Sequence, residues 1–400
     1  MTKVSLKKIV SFIHEKRVDV DRFFNKILES VEVSEVSDTL LLCVETGGTE
    51  GIFKNEVLPN LGKYKRLIIV ASEYANSLPA SLEIKTFMKM NKPDYPVFLL
   101  HGNAIEVLKR LNNPELNDNK PKFVYQINGN LNLKKKLGVI GKPSDWLIAS
   151  IPSYSIVKEK FGIDLIDIDY KELVDQISLA NEGEVLSKNV NLSLYIENDI
   201  SKDMKTSLKI LGALQSIVEK YNLDGFTIRC FDLLNIYKGT SCFAVSYLNK
   251  QGIVSTCEGD ISSLITMMVI RNILNKPSFQ ANSSSINIKS NSVVLAHCAV
   301  PFDMCEDLKY PTHFESNLGI GVKGKLKEEY GTIFKVSPAL DEFLFIEGKI
   351  IRNLDKQYLC KTQIEFELNE YKPVELFSAN VANHIMFFYG DGNKIKEILQ

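Results

Sequence analysis

The feature that most restricts this chain's fold is a series of short, mostly apolar runs separated by helix-compatible sequence. Thr39-Leu40-Leu41-Leu42-Cys43-Val44, Arg66-Leu67-Ile68-Ile69-Val70 and Pro96-Val97-Phe98-Leu99-Leu100 follow one another, with a helical stretch at residues 80–90. Strands without a polar face must be covered on both sides, and alternation with helices makes the sheet parallel. A second unit of this kind opens at Leu137-Gly138-Val139-Ile140-Gly141 and continues through residues 163–168. It includes a helix around 205–221, where Leu208, Leu211, Ile217 and Val218 recur at helical spacing, and the strand Phe226-Thr227-Ile228-Arg229-Cys230. After about Gln280 the texture changes to Ser-rich linker sequence and then strand-like runs at 293–297, 319–322, 332–336 and 343–346. Gly, Asp and Asn punctuate those runs, which reads as a β-rich terminal domain. The polar stretch 112–122 reads as a loop near the first boundary.

At 400 residues, two or three domains are expected. A net charge of −1 gives no basic surface for nucleic acid. Lys7, Lys8, His14, Glu15 and Lys16 interrupt the apolar residues near the start, so no signal peptide is expected, and no later run approaches the ~18 apolar residues of a membrane span. The seven cysteines contain no CxxC pair, which favours reduced thiols, a cytoplasmic location and no zinc ribbon.

Four places carry candidate chemistry. Cys257-Glu258-Gly259-Asp260 follows the run Gly252-Ile253-Val254-Ser255-Thr256 and precedes a helical segment. Ligand chemistry in parallel sheets gathers beyond the carboxyl ends of strands, although Asp260 also suits a helix cap. Asp232 follows the strand 226–230 and should emerge at the same edge, or serve as a turn residue. His297 ends the run Ser292-Val293-Val294-Leu295-Ala296, and His384 sits in Ala382-Asn383-His384-Ile385-Met386; each reads as a core histidine or a ligand. Together, two carboxylates and two imidazoles suit Mn²⁺, Co²⁺ or Mg²⁺-like ions. The Gly47-Gly48-Thr49-Glu50-Gly51 turn is neither a P-loop nor a dinucleotide fingerprint, and reads as a tight turn or an anion cradle.

Several blocks, taken in order, resemble the fucose isomerase-like branch of the L-fucose/L-arabinose isomerase superfamily. They are Glu45-Thr46-Gly47-Gly48-Thr49-Glu50, Asn76-Ser77-Leu78-Pro79-Ala80-Ser81-Leu82-Glu83, and Ile140-Gly141-Lys142-Pro143-Ser144-Asp145-Trp146-Leu147-Ile148-Ala149-Ser150. Cys257-Glu258-Gly259-Asp260, Ala296-His297-Cys298 and Asn383-His384 complete the series. The resemblance implies an α/β chain with two Rossmann-like parallel-sheet domains, 1–135 and 136–285, and a barrel-like β-rich domain, 286–400, that completes a metal site. It also implies aldose–ketose isomerisation with a divalent metal, Mn²⁺ first and Co²⁺, Mg²⁺ or Zn²⁺ as alternatives. A homo-oligomer, trimer or hexamer, with sites near subunit contacts is expected, and no nucleic-acid or membrane partner. Arabinose isomerases ligate metal through two glutamates and two histidines, which places Glu258, His297 and His384 here. The other glutamate falls on Asp232, after Phe231, a departure of one methylene.

The chemistry implied is a ketol isomerisation through an ene-diol. Glu258 and Asp232 would touch the metal and exchange protons, with His297 and His384 as nitrogen ligands. His313, Trp146 and Arg229 are candidates for binding the sugar; the plain alternatives are a loop histidine, a domain-junction tryptophan and an incidental cation. Cys242, Cys257 and Cys298 are expected to be packing residues. Two further readings are an isomerase for a deoxy- or sulfo-sugar, with Arg229 and Lys238 near an anionic group, and a catalytically silent sugar-binding protein.

Overall fold

A computed structural model describes residues 2–11, 18–111, 121–196 and 200–400. Positions 112–120 of the expected boundary loop, and His14, Glu15 and Lys16, lie outside the described residues.

The first unit is a parallel sheet of β1 (Thr2–Ile9), β2 (Val31–Val33), β3 (Thr39–Val44), β4 (Arg66–Ala71) and β5 (Val97–His101). Their spatial order is 2-1-3-4-5, a doubly wound arrangement. Every residue of β3 is buried, as its apolar run requires. In such sheets a crevice opens where the chain departs from adjacent strands in opposite directions, here between β1 and β3. Ser11 follows β1 and Gly47 to Glu50 follow β3, so both segments stand at that crevice.

After the short strand β6 (Val124–Gln126), the second parallel sheet is formed by β7 (Lys135–Ile140), β8 (Ile163–Ile168), β9 (Gly225–Ile228) and β10 (Val254–Thr256), in the order 10-9-7-8. The long helix Lys202–Tyr221 covers it, begun by Ser201, whose hydroxyl accepts from the Met204 amide, and ended at Asn222 in a left-handed conformation.

The terminal domain is an antiparallel barrel. Its strands are β11 (Phe279–Asn287), β12 (Ser292–His297), β15 (Tyr330–Val336), β16 (Glu342–Asn353), β17 (Thr362–Leu368) and β18 (His384–Tyr389), with β13 (Cys305–Lys309) and β14 (Lys323–Leu326) as a separate hairpin. The sheet runs 15-18-11-12-17-16, and pairing of β15 with β16 closes it. Closure removes the exposed edges that an open sheet would leave, and β6 adds to the outside of β16.

Two parts of this domain differ from the expectation. The Ser-rich stretch is not a linker: Ser283, Ser284 and Ser285 lie buried inside β11. Serine carries little strand preference, but pairing with β12 carries the strand through them, with a register shift between Ser283 and Ser285. Residues 319–322 form no strand; Ile320 makes a single bridge to Thr312. Sheet membership also starts the barrel at Phe279 and takes Val124–Gln126 into it. Among the described residues no helix is long and apolar enough to cross a membrane.

Two buried polar residues join the units. The helix Ser77–Asn91 is buried from Ser77 to Met88 between the first sheet and β11. Its Glu83 carboxyl accepts from the amides of Ala149 (2.7 Å), Ser150 (3.0 Å) and Asn383 (2.9 Å), and from the Ser150 hydroxyl (2.8 Å). One side chain therefore ties first unit, second unit and barrel. His101, at the end of β5, bonds the Ala71 carbonyl through Nδ1 at 3.0 Å and accepts from the Ile286 amide through Nε2 at 3.3 Å.

Burial lowers the His101 pKa to about 4. An unfolded histidine titrates near about 6.5. Between these values the unfolded chain holds a proton that the folded chain does not, so stability falls as pH drops through that window. Urea unfolding at pH 7 and pH 5 should show the wild type losing about 2 kcal/mol more than His101→Gln across the interval. Equal losses would remove His101 from the acid response. Replacing Glu83 with Leu leaves four buried donors without an acceptor and should cost about 3–5 kcal/mol in the same assay.

Candidate metal centre

The carboxyl end of β10 turns abruptly. Glu258 and Gly259 both adopt left-handed backbone, with φ of 69° and 72°. For Glu258 this is a strained choice, of the kind concentrated at functional sites. The turn is held by bonds from the Gly259 amide to the Ile228 carbonyl (2.9 Å) and from the Ser144 amide to the Glu258 carbonyl (3.0 Å). A Cβ at Gly259 would stand 2.7 Å from Pro143 Cα, so glycine alone lets this turn press against the loop after β7. That loop carries Trp146, whose indole Nε1 donates to Glu258 Oε2 at 2.7 Å.

Two histidines meet Glu258 from one rim of the barrel. Asn282 on β11 pairs with His384 on one side and with Ala296 on the other, next to His297. Glu258 Oε1 lies 3.6 Å from His297 Nε2 and 3.5 Å from His384 Nε2. Candidate ligand atoms of Glu258, His297 and His384 all lie within 4.8 Å of one another, and both histidines are buried.

Asp260 fixes the orientation of His384. Its carboxylate caps the helix Ile261–Leu274 by accepting from the Ser263 amide at 2.7 Å, and its Oδ2 stands 2.8 Å from His384 Nδ1. Burial works against its charge, but Lys335, His384 and the Ser263 hydroxyl hold the carboxyl below its ordinary range. An ionised Asp260 accepts a proton-bearing Nδ1, which turns His384 Nε2 toward Glu258. Burial likewise opposes charge on Glu258, yet His384 and His297 hold its carboxyl well below the usual carboxylate range. Burial lowers the His384 pKa, but Glu258 and Asp260 outweigh it and raise the value to about 9.

The donor set fits a divalent cation. A simple Glu–His ion pair would close to about 2.7–2.9 Å. The observed 3.5 and 3.6 Å are too long for that, but match two ligand atoms sharing one ion with bonds of about 2.1 Å. His384 Nε2 is buried without a hydrogen-bond partner, the kind of atom a cation would satisfy. One carboxylate and two imidazoles suit Mn²⁺, Co²⁺ or Zn²⁺.

The trio adjoins a cleft of about 400 Å³ between the carboxyl ends of both sheets and the barrel rim. Its walls include Glu50, Asn76, Trp146, Phe231, Glu258 and Glu315. Burial raises Glu315 to about 7, opposed by His313 and aided by Glu258, and Asn76 Nδ2 donates to Glu315 Oε1 at 2.7 Å.

Asp232 is not part of the trio. It begins the short helix Asp232–Tyr237, its side chain is 41% exposed, and Oδ2 bonds Arg229 Nε at 3.1 Å. The guanidinium of Arg229, in the turn between β9 and this helix, engages the carboxylate there. Arg229 also grips both oxygens of Asp145 (3.2 and 3.0 Å) and the Pro143 carbonyl (2.8 Å). It braces the Trp146 loop and does not line the cleft. Trp146 lines the cleft, packs edge-on against Phe231 and holds Glu258. His313 is buried behind Phe231, its ring 5.7 Å away edge-on, and does not line the cleft. Cys242, Cys257 and Cys298 are all buried.

Asp260's second task, and the places of Glu50, Glu83 and Glu315, escape a reading of spacing. Only the Glu-Gly-Asp order hinted at Asp260; a glutamate inside a helix or loop looks like any surface glutamate.

No family model matches the chain. Proteins named sulfoquinovose isomerase from Priestia aryabhattai and from Priestia megaterium are each 26% identical over 302 residues, covering 72% of this chain and 63% of the relative. One of the same name from Alkalicoccus urumqiensis is 25% identical over 215 residues, covering 50% of this chain and 47% of the relative. The chain thus spans less than two thirds of the curated relatives it matches. The named relatives agree with a sugar isomerase as the general class.

Metal titration by calorimetry separates the ligand candidates. Mn²⁺ or Zn²⁺ should bind wild type and Asp232→Asn alike at one ion per chain, whereas His384→Ala should weaken binding at least about 100-fold. Loss of binding in Asp232→Asn would restore Asp232 to the site.

Proposed function

We propose that this protein is a divalent-metal-dependent aldose–ketose isomerase. The observation that carries the proposal is the Glu258–His297–His384 trio at the edge of a cleft, with His384 Nε2 lacking a hydrogen-bond partner. Shared names among the matched relatives support the reaction class and put a sulfonated sugar first among substrates to test. An unmodified aldose is a second reading, favoured by the lining itself. Among its described residues Glu50, Glu56, Asp145, Glu258 and Glu315 are acidic and none is Lys or Arg.

Glu258, His297 and His384 would hold the cation, which would supply a Lewis acid to polarise the carbonyl of an open-chain sugar. Glu258 then serves as the base beside the carbonyl. Trp146 occupies its Oε2, which fixes the carboxylate plane and directs Oε1 toward the histidines. Asp260 keeps His384 in the tautomer that presents Nε2. Phe231 and Trp146 supply an apolar wall that excludes water from the exchanging proton. Isomerisation proceeds through an ene-diol, and proton transfer by a positioned carboxylate contributes about 10²–10⁴ in rate. Assembly as a homo-oligomer and a cytoplasmic location accompany this reading.

Manganese-loaded protein should interconvert aldose and ketose in a panel that includes sulfoquinovose and unmodified hexoses and pentoses. Glu258→Gln should lower kcat by at least about 100-fold. Near-wild-type turnover in that variant would exclude Glu258 as the base, and a loaded wild type inert toward every sugar would favour the silent sugar-binding reading.

A further inference from the structure

Among the described residues, Glu50, Glu83, Asp260 and Glu315 are carboxyl groups withdrawn from solvent near the trio, and their hydrogen bonding differs; Glu315 accepts from Asn76 Nδ2 at 2.7 Å. Glu83 meets four donors. Asp260 meets the Ser263 amide and hydroxyl as well as His384. Glu50, 1% exposed, has an oxygen, Oε2, that is buried and meets no donor at all.

The backbone delivers Glu50 to the cleft by a specific device. Gly48 takes φ +72°, and a Cβ on Gly47 would lie 2.9 Å from Asn76 Cβ, so the turn closes only with glycine at both places. Thr46 Oγ1 accepts from the Ser11 amide at 2.9 Å, and the Thr49 hydroxyl donates to the Thr46 carbonyl at 2.9 Å. These bonds fix the segment at the crevice between β1 and β3, where Glu50 lines the same cleft as Glu258.

We propose that Glu50 is a catalytic residue of the isomerisation, the acid that hydrogen-bonds the substrate's carbonyl oxygen and protonates it as it becomes a hydroxyl. This rests on the isomerase reading above. A buried carboxylate oxygen without a partner is costly, and an incoming sugar oxygen supplies the partner. Burial, reinforced by Glu83 and Glu258, raises the Glu50 pKa well above the carboxylate range, which keeps the proton in place for donation.

The proton count closes. From aldose to ketose, the Glu50 O–H bond breaks as the O1–H bond forms. The O2–H bond breaks as the second carbon becomes a carbonyl, and that proton returns to Glu50. The carbon-bound proton leaves the second carbon for Glu258 and is given back to the first. No oxidant or reductant enters.

The test compares wild type with Glu50→Gln, both loaded with manganese. The variant should bind the ion like wild type, and its kcat should fall at least about 100-fold while KM changes by less than about threefold. Glu50→Asp, which retains the acid but withdraws it by one methylene, should show a smaller loss, and it replaces the first variant if that one fails to fold. A readout independent of turnover is the infrared difference between wild type and Glu50→Gln at neutral pH. It should contain a protonated-carboxyl band that moves to lower frequency when a polyol is added. An active wild type whose variants turn over within about threefold of its rate would overturn the assignment while leaving the site reading intact. Absence of that band, or its indifference to polyol, would also overturn it. Wild type that isomerises no sugar in the panel would overturn the site reading, and the role of Glu50 with it.

Discussion

The Glu83 carboxyl is the interaction on which this architecture turns. It sits on a helix of the first unit, accepts two amides and a hydroxyl from the loop after β7, and accepts a third amide beside His384. It joins loops at the carboxyl end of the second sheet to the barrel rim, beside the links that His101 and Thr86 make from the first unit. Burial raises Glu83 to about 7, with Asp260 adding to the shift and the donors opposing it. The four donors make such a group tolerable, and buried Lys335 nearby is itself pulled down by burial while Asp260 and Glu83 raise it.

From that junction the site follows in layers. Asp260 caps one helix and orients one histidine, so the start of the helix Ile261–Leu274 and the start of β18 are set by a single side chain. Gly259 lets the turn approach Pro143, which brings Trp146 to Glu258. Arg229 secures the same loop from the other side through Asp145. The His384 imidazole and the Glu258 carboxylate are thereby held by neighbours that do not themselves line up as ligands, an arrangement characteristic of metal sites.

Much of the fold could be read from the sequence because parallel strands covered on both faces must be apolar. The runs at β3, β4 and β5 announce themselves, as does the helix Lys202–Tyr221 with its spaced leucines. The serines of β11 hide a strand because β12 and the closed barrel bury a polar run, which local pattern does not reveal. Glu258, His297 and His384 stood out as rare residue types at strand ends. Asp232 shared that signal, but its place depends on competition from Arg229, a contact that no spacing rule contains. Glu50 and Glu83 fall inside blocks that carry the resemblance, but their individual roles show only in three dimensions, where burial and missing or abundant donors distinguish them from surface glutamates.

The central claim is that one cation sits among three side chains contributed by the second sheet and the barrel. An anomalous-difference map from crystals soaked in manganese tests it most directly. The account predicts a single strong peak bonded to Glu258 Oε1, His297 Nε2 and His384 Nε2. A peak bonded elsewhere, or none there with His384 closed onto Glu258 in a direct hydrogen bond, would contradict it.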